Sequence, residues 1–166
     1  MFKWILGVAV VALLVGIAVW QRNAVKTTYV NGLPPYTSLP GRQYVFERNC
    51  YIFKLKGRDT SWPLVGAHQT VPELPDAFDT RNIGADLPGV RILDVARIGD
   101  RFRIVSVRQD SGRTGTSTTF EILFLDEASR AYPRLDAYWI LDHAPEKTGA
   151  APEILPTYAV RQAIPN

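Results

Sequence analysis

The chain has 166 residues, with 19 Lys and Arg against 16 Asp and Glu, a formal charge of +3 and 46% hydrophobic side chains. The charges are interspersed, which excludes the clustered Lys/Arg footprint of a nucleic-acid binder, so no nucleic acid is expected as a partner. One cysteine and two histidines exclude an internal disulfide framework and the Cys/His spacing of a zinc site.

From Trp4 to Trp20 no side chain is charged or strongly polar. As a helix rising 1.5 Å per residue this run spans roughly 26 Å, near the lower limit for crossing a bilayer. Trp4 and Trp20 bracket it where indoles favour the lipid–water interface, and Lys3 and Arg22 reach outward beyond them. Residues 1–22 are therefore expected to form a retained signal-anchor helix, with 4–20 in the lipid bilayer of an inner (cytoplasmic) membrane. Cleavage as a secretory signal is the competing reading, and Gly16 with Ala18 is the only small-residue pair that suits it. The cysteine at position 50 is too far from the apolar run for a lipoprotein. Positive charges nearly balance across the segment, Lys3 on one side and Arg22 with Lys26 on the other. A very short N-terminal tail before a long domain favours a periplasmic C-terminal domain.

Residues 23–42 read as a spacer. Thr27 to Val30 suits a short strand, Asn31-Gly32 a turn, and prolines at 34, 35 and 40 favour extended, semi-rigid backbone. Residues 43–142 form the body. Gln43 to Phe46 and Cys50 to Lys56 are rich in aromatic and β-branched residues. Residues 60–88, with four prolines, make a long irregular insertion in which Pro75-Asp76-Ala77-Phe78-Asp79 has the look of a short helix start. Val90 to Ile98 and Arg101 to Arg108 flank Gly99-Asp100 as a hairpin. A polar loop is expected over 109–117. Thr118 to Leu125 follows as a strand, with Phe120, Ile122 and Phe124 on one face and Thr119 and Glu121 opening the other. That second face turns apolar at Leu123, as though the strand were covered on both sides. A last strand is expected from Leu135 to Leu141, with Leu135, Ala137, Trp139 and Leu141 on a common side.

The expected fold class is mainly β: one N-terminal transmembrane helix, then a small antiparallel β-barrel or sandwich with a long irregular insertion. Strand order and spacing from Val90 to Leu141 resemble those of an SH3-like barrel. Residues 143–166 read as a Pro/Ala-rich tail whose second half is apolar enough to dock.

Chemistry is sparse. Cys50 lies in an apolar strand, as a small buried hydrophobe does, and pairing it with His68 needs the insertion to fold back over that strand. Asp142 and His143 are adjacent and so point to opposite faces. Asp76, Asp79, Asn82 and Asp86 miss the spacing of a calcium loop. Asp94, Glu121, Asp126 and Glu127 qualify as a carboxylate pair only if distant strands bring them together. No phosphate-cradling loop is present. No catalytic residue, cofactor or metal ligand is therefore assigned. Aromatics outside the strands, Tyr36, Trp62 and Tyr132, with Arg113 in the polar loop, are the candidate partner-binding residues. The expected function is a single-span envelope protein whose β domain binds another envelope or membrane protein or a cell-wall component, as an accessory subunit, adaptor, inhibitor or immunity protein. The alternative is a cell-wall hydrolase or thiol enzyme using Cys50 and His68.

Overall fold

A computed structural model describes residues 25–58, 60, 62–112 and 115–162. Among the described residues are eleven strands: β1 Lys26–Tyr29, β2 Gln43–Phe46, β3 Cys50–Leu55, β4 Leu64–Gly66, β5 Val90–Ala96, β6 Arg101–Gly112, β7 Gly115–Phe124, β8 Arg134–Asp136, β9 Leu141–Asp142, β10 Glu153–Ile154 and β11 Ala159–Arg161. Nine belong to one sheet of order β11-β2-β6-β7-β8-β4-β3-β5, with β1 also on β6, while β9 and β10 form a separate pair.

The sheet does not close on itself, which corrects the SH3-like barrel. It is also mixed: β4 and β8 run parallel, joined at Leu64 and Asp136. Two cores explain the open form. On β3, Cys50 and Ile52 enter a first cluster with Phe46, Phe102, Phe120 and Phe124. Tyr51 and Phe53, pointing the other way, enter a second with Leu64, Val71, Leu74 and Ile92. A strand buried on both faces belongs to a sheet packed from both sides, not to a barrel wall with one solvated face. The second cover is the insertion: Val71 and Leu74 are buried in it, and Phe78, Ala85 and Leu87 pack against it. Its helical part is a 3-10 turn at Thr80–Asn82, with Asp79 as the N-cap accepting from the Arg81 N–H. The helix start expected at Pro75 thus lies four residues late, at the first acid that reaches a free N–H.

Among the described residues no helix is long and apolar enough to cross a membrane. The expected signal-anchor span, 4–20, lies outside them. The helical segments present are 3-10 turns of three to five residues, against the roughly 20 residues a crossing helix needs. Among the described residues this corrects the single-span inner-membrane reading.

The chain divides into two compact units. The smaller includes the far ends of β6 and β7, residues 109–117, and the start of β1. Here the strands run through most of the expected polar loop, and the Thr27 hydroxyl donates to Asp110 Oδ1 at 2.7 Å.

The larger unit, Tyr29–Arg108 with Thr118–Asn166, holds both cores. Two local breaks of strand alternation shape it. Ile104 and Val107 share the first core although three residues apart, so the pleat slips by one between them and turns Ser106 and Arg108 to the opposite face. After β8, Asp136 Oδ1 accepts from the Tyr138 N–H at 2.9 Å, which bends the chain into the 3-10 turn Tyr138–Ile140. The single strand expected from Leu135 to Leu141 is therefore broken, and Trp139 leaves its expected neighbours to pack on the second core. Beyond it, Ile154, Tyr158 and Ala159 are buried in the first core, with β10 on β9 and β11 on β2.

Candidate functional site

The face of β6, β7 and β8 that points away from the first core carries a buried polar layer. The register sets Glu121 directly opposite Asp136, which brings their side chains to one face about 5 Å apart at Cβ. Arg108 and Ser106 reach the same face through the slip in β6. Arg108 Nη2 donates to Asp136 Oδ2 at 2.9 Å, and its Nη1 lies 3.9 Å from Glu121 Oε1. Asp136 Oδ1 also accepts from the Thr119 hydroxyl at 2.5 Å. Glu121 Oε2 accepts a short hydrogen bond from Ser106. Both carboxyl groups are at most 4% exposed. A charge taken out of water at this depth persists only when its lone pairs find donors, and here they do.

The outer boundary of this layer is aromatic. Glu121 Oε1 accepts from the Tyr29 hydroxyl at 3.0 Å and from Trp62 Nε1 at 3.3 Å. The Arg134 guanidinium stacks over the Trp62 ring, 4.9 Å from its centroid. Tyr29 is 58% exposed and Trp62 half-buried, so their rings meet solvent while their polar atoms are fixed from beneath. The hydrogen bond to Glu121 is also the main reason the Tyr29 phenol titrates above its ordinary value. With its oxygens engaged by Ser106, Tyr29 and Trp62, Glu121 is placed to hold neighbours and not to accept a substrate proton.

The candidate binding residues separate in space. Trp62 sits on the platform. Tyr36 is buried in the first core, and Tyr132 is half-buried against it. Arg113 lies outside the described residues. Tyr29, Arg134 and the supporting Arg108, Glu121 and Asp136 were not legible as a site, because a polar residue alternating with apolar ones reads as solvent-facing. The one signal was the apolar turn of that face at Leu123, which marks it as covered.

Cys50 and His68 take separate partners. The Cys50 thiol donates weakly to the Arg48 carbonyl at 3.8 Å, and burial pushes its pKa up to about 12. His68 Nδ1 lies 2.7 Å from the Leu74 carbonyl, so that nitrogen carries the proton. A thiol this far from ionisation is a poor nucleophile at neutral pH. His143 pairs with Glu146 at 2.7 Å, not with Asp142. The acids considered for calcium disperse, Asp79 to Arg81 and Asp86 to Lys56. Among the described residues no group of three or more His, Cys, Asp or Glu is placed to hold a metal ion.

No family model, curated protein or solved structure matches this chain.

Proposed function

We propose that this chain is a binding domain that holds a protein partner on the platform formed by Tyr29, Trp62 and Arg134. The observation that carries the reading is the double hydrogen bond of buried Glu121 to Tyr29 and Trp62. Tyrosine, tryptophan and arginine dominate the binding energy of protein interfaces. Fixing a ring before association removes about 0.5–1.5 kcal/mol of ordering cost per side chain. A partner presenting an apolar side chain to the rings and a carboxylate to Arg134 satisfies all three groups. The test is affinity capture with the full chain beside Trp62→Ala, Arg134→Ala and, as a control on another exposed aliphatic, Ile83→Ala. The platform variants are expected to lose the bound protein by about tenfold or more, a hot-spot loss of at least 1.4 kcal/mol. Equal recovery with all three variants contradicts the reading.

A further inference from the structure

The two ends of the main sheet are treated differently. At the β5 end the backbone is covered by the segment 84–87: Gly84 N–H donates to the Ile92 carbonyl, Ile92 N–H to Ala85 and Leu87 N–H to Val90, all within 3.1 Å. At the other end, β11 pairs with β2 alone among the described residues. Its register is Ala159 with Phe46, Val160 with Val45 and Arg161 with Tyr44. Glu47 N–H donates to the Tyr158 carbonyl and Gln162 N–H to Gln43, each at 2.9 Å. Residues 158, 160 and 162 therefore turn their main-chain groups toward β2, and 159 and 161 turn theirs outward. The Ala159 N–H is taken by the Leu155 carbonyl at 3.2 Å. Ala159 is only 2% exposed, so the open edge is at Arg161, whose main-chain N–H and carbonyl have no partner among the described residues.

Beside this strand lies a cleft of about 300 Å³ that β10 and β11 both line. Its wall includes the core residues Leu39, Tyr44 and Ile154, and two arginines, Arg42 and Arg161, against one acid, Glu153. Arg42 is held in place by Ser38, whose carbonyl and hydroxyl accept from Nε and Nη2, both at 2.6 Å. Among the described residues neither guanidinium has a carboxylate partner, and Val160 stands 39% exposed on the edge strand.

We propose that the open edge of β11 and the adjoining cleft receive an extended, acidic segment of a partner protein, added as a further strand. The unpaired main-chain groups give the strand its seat, the apolar wall accepts an alternate side chain, and the excess of guanidinium selects carboxylates. This site shares no residue with the aromatic platform and does not depend on it.

The test uses the full chain and a fluorescein-labelled, end-blocked heptapeptide, Thr-Val-Glu-Val-Glu-Val-Thr, followed by anisotropy beside its lysine counterpart. The glutamate peptide is expected to bind saturably and the lysine peptide about tenfold or more weakly. Arg161→Ala is expected to weaken the glutamate peptide by about tenfold, through the lost charge-assisted contact. Arg161→Pro removes the outward N–H as well and is expected to abolish binding, with the unfolding midpoint retained because that N–H bonds nothing within the fold. Equal binding of the two peptides, or wild-type binding by Arg161→Pro, overturns the proposal. So does a dimer of the chain that Arg161→Pro dissolves while no peptide binds, since the occupant is then a second copy.

Discussion

The Cys50 thiol is fully buried in β3, and loss of hydration pushes its pKa from 9.0 up to about 12, against a smaller opposing pull from Arg48. The folded state thus holds this proton more tightly than the unfolded chain. The sign follows: stability tied to the thiol is fully present below pH 9.0 and is lost as pH rises toward about 12. Cys50→Ala carries no titrating group there. Urea midpoints of the two proteins should differ at neutral pH by the packing lost, then converge as pH rises above 9.0. Parallel profiles would show a thiol that ionises as freely in the fold as outside it. Glu121 and Asp136 are also deeply buried. They keep hydrogen-bond donors around them, Ser106, Tyr29 and Trp62 for one, Arg108, Thr119 and the Tyr138 N–H for the other. Removing one member of such a set costs more than its pairwise contact, because the remaining charge stays buried.

Among the elements, the insertion depends most on a single side chain. The Tyr51 hydroxyl accepts from the Asp79 N–H at 2.8 Å and from Asn82 Nδ2 at 3.0 Å, and donates to the Ala77 carbonyl at 3.2 Å. Its ring lies 5.1 Å from that of Phe78. Tyr51→Phe keeps the ring but strands these groups, which should cost about 1–2 kcal/mol and open residues 75–84 to limited proteolysis several-fold faster. Unchanged cleavage there would mean that the apolar contacts of Val71 and Leu74 alone fasten the segment. The strands with dense β-branched and aromatic content were legible in the sequence: β2, β3, β5 and most of β6 and β7 fall where that pattern lies. Three things were not. Covering of both faces of β3 depends on where the insertion lands. The slip at Val105 and Ser106 leaves only a local mark, the apolar positions passing from Phe102 and Ile104 to Val105 and Val107, which a strand covered on both faces gives as well. The break after Asp136 rests on one side chain capturing the Tyr138 N–H, a choice that Ala137 and Trp139, read as strand, conceal.

At the scale of the whole molecule, the larger unit presents two surfaces of different make. The platform is aromatic and preorganised from below by a buried acid. The cleft is bounded by an open strand edge and by arginines. The polar layer that supports the platform was hidden from the sequence for a physical reason: Ser106, Arg108, Thr119, Glu121 and Asp136 come from three strands and meet only through their register. Trp62, an aromatic outside the expected strands, lies on this platform and donates to Glu121. The most direct measurement places a photo-crosslinking residue in the full chain at Tyr29, exposed on the platform, and in parallel at Ile83 and Ile98, exposed elsewhere. A crosslink to one polypeptide is expected from position 29, lost when Trp62→Ala is added and not obtained from Ile83 or Ile98. A crosslink of equal yield from all positions, or one from position 29 that persists with Trp62→Ala, would contradict binding at the platform.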